Sequence, residues 1–356
     1  MGIVPRQRVN HPSAWKASDF TSPSDYVRPF TPRHLAAFDE ALAVIHRDGR
    51  SLYQVDRQHF AVPALAEEIA GIRQEIVDGR GFVMYRGFPV DRYTQADIEM
   101  IFWGFGLHLG IAQSQSVLGE RLGHIVDMTA TDPHARAYRN KMELTLHTDL
   151  CDAIGMFSLR KAPKGGMSLL ASALAVYNEI LEKHSEDLDV VFRGAPYHRM
   201  GEEMPGESSI TPHDVPALSY CDSKISCRYV RELLDAGADM AGRPLTTFEK
   251  AAFDFFDATA SRTDMCLRYV MEPGDMMFYS NWTVLHGRTA FENGPRHDQK
   301  RHILRLWLDM PGSRPVVPET AIFGVSGVGY QEGKTPSVDL DRYKRTIPMA
   351  PEDRIA

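Results

Sequence analysis

The sequence predicts a mixed α/β protein, a sandwich or barrel of short strands buttressed by helices. Three observations carry this. The first third of the chain holds helical periodicity, and the rest holds mostly short strand-like runs separated by turn residues. There is no βαβ alternation and no Gly-rich phosphate loop, which argues against a dinucleotide fold.

Residues 1–30, rich in Pro, Ser and charge, read as an irregular arm. Leu35, Phe38, Leu42 and Ile45 recur at helical spacing. Leu65, Ile69, Ile72 and Ile76 share one face of a second helix, stopped by Gly79 and Gly81. Gly81 to Gly87 reads as a short buried strand, and Thr94 with Asp97 as a capping box opening a third helix. A loop with Gln113 and Gln115 leads to a strand at Leu122–Met128. Ile154–Leu159 and Met167–Ser172 read as a hairpin, because Lys161 to Gly166 has the composition turns require. A helix through Val176 and Ile180 follows. Residues 196–218 show no period and read as a lid-like loop. Thr247–Ala260 is helical, and Met276–Tyr279 and Lys300–Asp309 are strands. The tail, 311–356, is expected to wrap the outside of a single domain spanning 1–356.

Length and composition set the class. At 356 residues the chain can bury a large core, and 43% hydrophobic with 24% charged residues is ordinary for a soluble globular protein. A net charge of −7 gives no nucleic-acid surface. No apolar run reaches the ~18 residues of a membrane span, and the N-terminus lacks the apolar stretch of a signal peptide. Cys151, Cys221, Cys227 and Cys266 form no CxxC pair, which fits a reduced, cytoplasmic protein. The partner expected is a small molecule; a homo-oligomer stays open.

Chemistry concentrates in Leu146-His147-Thr148-Asp149. On an extended strand His147 and Asp149 point the same way, so they offer adjacent ligands to one metal ion. His286 is the best third ligand. Two His and one carboxylate on one face leave the opposite face open, the arrangement of non-haem Fe(II) oxygenases. Arg301 and Arg305 share a face of an otherwise apolar strand, where a buried guanidinium needs a carboxylate, either from the chain or from a ligand. His108, His124, His134, His184, His198 and His302 read as structural or surface residues.

The combination His147-x-Asp149, His286 and Arg301 resembles the TauD/TfdA family of Fe(II)- and 2-oxoglutarate-dependent dioxygenases. Glu143-Leu144-x-x-His147-Thr148-Asp149 with Gly165-Gly166 looks like that family's first half-motif. Pro273-Gly274-Asp275, Asn281, Leu285 to Phe291 and Arg301-His302-Ile303-Leu304-Arg305 look like its second. The similarity covers roughly residues 65–310. It implies a double-stranded β-helix, a cupin-like jelly roll with flanking helices. It implies His147, Asp149 and His286 as iron ligands, and Arg301 as the clamp on the distal carboxylate of 2-oxoglutarate, with Arg305 lining the same pocket as a further contact to cosubstrate or substrate. Some relatives carry a Thr contact to 2-oxoglutarate; that place counts to Ala171, so Ser172, or Ser168, is expected to replace it. Leu150 stands where close relatives often have Gly, which is expected to narrow the mouth of the site. Asn281, Gln115 and Asp152 are candidate substrate contacts.

The implied reaction hydroxylates an unactivated C–H bond of a small polar molecule of amino acid, amine or organic acid type. O2 is consumed and 2-oxoglutarate leaves as succinate and CO2. Two other classes stay open: a non-catalytic cupin-like binding protein, and a metal-dependent hydrolase on the same ligands. The complete set of His147, Asp149, His286 and Arg301 speaks against the first. The paired arginines speak against the second, since a hydrolase has no need of a 2-oxoglutarate clamp.

Overall fold

The structure is a computed structural model that describes residues 3–131, 136–324, 327–335 and 340–348. In chain order its strands are β1 (Val27–Pro29), β2 (Phe82–Arg86), β3 (Ile111–Ala112), β4 (Leu122–Ile125), β5 (Leu144–His147), β6 (Ala153–Arg160), β7 (Lys164–Gly165) and β8 (Ser168–Ser172). They continue as β9 (Leu218–Cys221), β10 (Lys224–Cys227), β11 (Cys266–Tyr269), β12 (Met276–Ser280), β13 (Val284–Arg288), β14 (Phe291–Glu292) and β15 (His302–Asp309). The helices are α1 (Pro32–Asp48), α2 (Ala66–Asp78), α3 (Gln95–Leu109), α4 (Ala173–Lys183), α5 (Leu188–Arg193), α6 (Arg231–Met240) and α7 (Thr247–Ser261).

Two sheets make the core. The larger runs β1-β2-β12-β6-β15-β3, with β4 also on β15; the smaller runs β11-β8-β13-β5. Alternation along single strands assigns their faces. On β12, Met276 and Phe278 join the cluster under α1–α3, while Met277 and Tyr279 face inward. On β15, Leu304, Leu306 and Leu308 face those helices, which turns Ile303, Arg305 and Trp307 inward. On the smaller sheet, Leu169, Ala171 and Leu285 pack outward with α4–α7, and Leu170 and Val284 inward. The result is a double-stranded β-helix, a jelly roll with helices on both outer faces.

Local chemistry explains the helix ends. Pro32 opens α1, and Gly49 closes it in the left-handed region at φ 63°. The Thr94–Asp97 capping box is formed, with the Thr94 hydroxyl accepting from the Asp97 amide at 3.2 Å.

Four expectations need correction. The hairpin across Lys161–Gly166 does not form: β6 pairs with β12 and β15, and β8 with β11 and β13 in the other sheet. Gly165 and Gly166, at φ 69° and 73°, carry the chain between sheets, since a local turn cannot reveal which partner wins each strand. The segment 196–218 is no open lid: Tyr197, Val215 and Ala217 are fully buried, and only Met200 reaches the cavity. The N-terminal arm supplies β1, parallel to β2, and buries Trp15 and Tyr26. The tail does not only wrap the outside, because Leu340, Lys344, Arg345 and Thr346 line the cavity. Among the described residues no helix is long and apolar enough to cross a membrane.

Candidate active site

A cavity of about 410 Å³ opens between the sheets, and His147, Asp149, His286, Arg301 and Arg305 all line it. The strands bring the histidines together: His147 and His286 are direct partners between β5 and β13, and their rings sit 4.2 Å apart. Gly287 makes this approach possible, because a Cβ there would lie 2.7 Å from the Leu144 carbonyl oxygen. Asp149 follows in the loop, with its carboxylate oxygens 3.9 Å from His147 Nε2 and 3.7 Å from His286 Nε2. The three ligand atoms lie within 4.8 Å of one another, a spacing that one metal ion can bridge.

The donor set fits a divalent ion. The His147 Nδ1–H donates to the Thr145 carbonyl at 2.7 Å, which leaves the Nε2 lone pair for a metal. Burial, reinforced by His286, lowers the pKa of His147 to about 4, so the ring stays neutral. Burial works to raise the Asp149 pKa, but Arg305 and His286 outweigh it and hold the carboxylate well below its usual range. Asp149 Oδ2 accepts from Arg305 Nη1 at 3.0 Å and from Trp307 Nε1 at 2.8 Å, so Oδ1 is left for a ligand.

Three residues expected to contact substrate do not line the cavity. Asn281 is buried; its Oδ1 accepts from the Asp149 amide at 2.8 Å, and its Nδ2 donates to the Asp149 and Cys151 carbonyls. It pins the loop that carries Asp149. Gln115 Oε1 accepts from Arg305 Nε at 2.7 Å and its Nε2 donates to the Arg305 carbonyl at 2.9 Å, which fixes that arginine. Asp152 accepts from Trp282 Nε1 at 2.9 Å and the Met310 amide at 2.7 Å, on the far side of the same loop. Leu150, next to Asp149, lines the cavity.

Ser172 is also misplaced as a cofactor contact. Its hydroxyl caps α4 by accepting from the Ala175 amide at 3.0 Å, and donates to the Ser13 carbonyl. Ala171 pairs with Leu285 on the outer face, so a hydroxyl there could not reach the cavity. The polar residue of β8 that lines the cavity is Ser168, opposite Arg288 and bonded to the Tyr269 side chain.

At the other end, Arg301 is buried, and burial lowers its pKa to about 10. Its Nη1 has no hydrogen-bond partner, and no Asp or Glu of the described residues forms an ion pair with it. That orphaned group in a cavity fits a ligand carboxylate. Two residues escaped the sequence reading: Trp307, which shares a strand face with Arg301 and Arg305, and Arg288, two positions past His286. The available signal was the same alternation that paired the two arginines. His108, His124, His184, His198 and His302 make structural contacts, such as His108 Nε2 to the Phe60 carbonyl at 2.7 Å. His134 lies outside the described residues.

A family model described as "Taurine catabolism dioxygenase TauD, TfdA family" matches residues 48–307. The chain belongs to the TauD/TfdA family. FR-33289 synthase of Streptomyces rubellomurinus (strain ATCC 31215) is 29% identical over 315 residues, covering 87% of this chain and 92% of the relative. The taurine hydroxylase-like protein SAT17 of Stachybotrys chartarum is 26% identical over 312 residues, covering 84% and 79%. Among solved structures, asparagine oxygenase with Fe(II), 3-hydroxyasparagine and succinate matches at TM-score 0.61 and 16% identity, over 86% of this chain and 100% of that one. The non-haem iron oxygenase OrfP with Fe and alpha-ketoglutaric acid matches at TM-score 0.60 and 15% identity, over 85% and 100%. These structural likenesses show the fold, and family membership identifies the activity. The TauD/TfdA chain is a dioxygenase that uses Fe(II), 2-oxoglutarate and O2 to hydroxylate its substrate.

Proposed function

We propose that His147, Asp149 and His286 hold the Fe(II) and that Arg301 receives the distal carboxylate of 2-oxoglutarate. One observation carries this reading: the three ligand atoms and the unpaired Arg301 Nη1 belong to one cavity. Fe(II) with 2-oxoglutarate and O2 supplies the oxidising power for C–H hydroxylation, with succinate and CO2 as coproducts. The protein's part is to position and to exclude water. Thr145 orients the His147 ring, and Asn281 fixes the Asp149 backbone. Arg305, held by Gln115, keeps Asp149 ionised and aimed. Leu150, Met156, Leu170, Met200 and Val230 give the cavity an apolar wall.

The cavity volume suits 2-oxoglutarate plus one small polar molecule. The hydroxylated asparagine and arginine held by the solved neighbours support a substrate of amino acid, amine or organic acid type. Four unpaired cysteines support a reducing, cytoplasmic setting, and the −7 charge supports a small molecule over nucleic acid as partner. The whole chain is proposed to act as one dioxygenase domain.

The test compares wild type, His147→Ala and Asp149→Gly after anaerobic loading with Fe(II). Both variants should lose substrate-coupled succinate release, with iron retention lost in the first and reduced in the second. Iron content in His147→Ala equal to wild type would overturn the ligand assignment.

A further inference from the structure

Arg288 stands two residues past His286 on β13 and lines the same cavity. It is 4% exposed. Its Nη2 donates to the carbonyls of Asn140, at 3.0 Å, and Met142. Its Nε and Nη1 have no partner, and no Asp or Glu of the described residues forms an ion pair with it. Holding the 140–142 backbone therefore explains one nitrogen and leaves two unexplained.

The surroundings place Arg288 at the Arg301 end of the cavity. The guanidinium carbons of Arg288 and Arg301 lie 4.8 Å and 5.4 Å from the centroid of the same Phe291 ring. Ser168, the strand partner of Arg288, bonds to Tyr269, and Tyr269 is near enough to Arg301 to sense its charge. Two buried guanidiniums of like charge, with three N–H-bearing nitrogens unpaired, are costly to keep without an anion. A carboxylate has about four acceptor positions, so it can take a fork from one arginine and a further donor from another.

We propose that Arg288 is a second arginine for the distal carboxylate of 2-oxoglutarate, completing a two-arginine seat with Arg301. This rests on reading the cavity as the 2-oxoglutarate site. Because Arg288 Nη2 also holds Asn140 and Met142, which wall the cavity, one side chain ties the cosubstrate seat to that wall.

The experiment is anaerobic calorimetric titration of the Fe(II)-loaded wild type, Arg288→Met and Arg301→Met. Each is titrated with 2-oxoglutarate and with 2-oxopentanoate, which keeps the chelating end and lacks the distal carboxylate. Arg288→Met should weaken 2-oxoglutarate by roughly 10- to 100-fold and leave 2-oxopentanoate nearly unchanged. Arg288→Lys, which keeps the charge without the fork, should fall between and serves if the Met variant does not fold. Unchanged 2-oxoglutarate affinity in Arg288→Met, or equal losses for both ligands, overturns the two-arginine seat while Arg301→Met still shows the clamp. A wild type that does not prefer 2-oxoglutarate to 2-oxopentanoate fails the underlying reading instead.

Discussion

At the metal end of the cavity, positive and negative groups of the chain answer each other. Asp149 sits against Arg305 and Trp307, and Arg305 is held in turn by Gln115. At the far end, Arg288 and Arg301 are buried with no Asp or Glu of the described residues in ion-pair contact. The contrast separates what the fold supplies from what a ligand must supply. The metal end is preorganised by these internal hydrogen bonds, with His286 Nδ1 and Arg305 Nη2 left without a partner. The far end has no ion-pair partner for its charge, with Asp127 acting on Arg288 only through space, which lowers stability of the empty protein in return for a strong response to an anion.

The largest test of that contrast is Arg301→Ala. Removing one partner of a buried charged pair costs about 3–5 kcal/mol, or roughly two to three and a half powers of ten in 2-oxoglutarate affinity. A titration showing less than a threefold change would mean that the far end is not the anion seat.

Acidification probes two histidines without mutation, His147 at the metal end and His302 outside the cavity. Burial lowers the pKa of His147 to about 4, helped by His286, and that of His302 to about 3, helped by His124. The folded state therefore binds fewer protons than the unfolded one between these values and the ordinary 6.5. Stability is complete above pH 6.5 and falls, by an amount on the order of a few kcal/mol, as pH drops towards 4. Melting temperatures of the metal-free protein from pH 7.5 to 4.5 check this; a flat profile would remove the buried-neutral assignment.

Gln115→Leu sharpens the comparison by loosening Arg305, together with the Arg121 carbonyl that Gln115 Nε2 also holds. The lost acceptor leaves a buried guanidinium nitrogen unsatisfied, worth roughly 1–3 kcal/mol. Coupled turnover should fall while 2-oxoglutarate affinity holds; a parallel loss of both would place Gln115 in the anion seat. The smallest effect is expected for Ser172→Ala. It removes the α4 cap, at about 1 kcal/mol of stability, and should shift the melting temperature without changing 2-oxoglutarate binding.

Much of the site was legible in the sequence because strand alternation is a strong rule. It put His147 with Asp149, which the structure sets in the loop just past β5 rather than on the strand, and it aligned Arg301 with Arg305; all four line one cavity. On β8 the place of the family's Thr, counted from the Gly-Gly turn, falls on Ala171, with Ser172 or Ser168 as the expected replacement; of these only Ser168 lines the cavity. The turn carries the chain between sheets, and residue counts through such a crossing lose the register. Asn281, Gln115 and Asp152 were noticed as polar residues near the motifs, but their partners are set by tertiary folding. Gln115 meets Arg305 across 190 residues, and no local pattern encodes that meeting. The tail and the 196–218 segment show a related limit: irregular chain can still be packed, and periodicity only reports regular elements.

The close pass of β5 and β13 at Gly287 has a consequence for how the gene can change length. His286 and Arg288 reach the cavity because the chain between them keeps regular register with β8, while β5 takes up an irregularity opposite Gly287, with His286 on His147 and Arg288 on Leu144. One codon inserted at 287 would turn either the histidine or the arginine to the outer face and press new bulk on the Leu144 carbonyl. The stretch from Pro295 to Asp298 is exposed, and lengthening there leaves both partners in place. Single-codon insertion scanning across 284–300, scored by iron retention, should therefore show a sharp boundary between a strand that accepts nothing and a neighbouring loop that accepts a great deal.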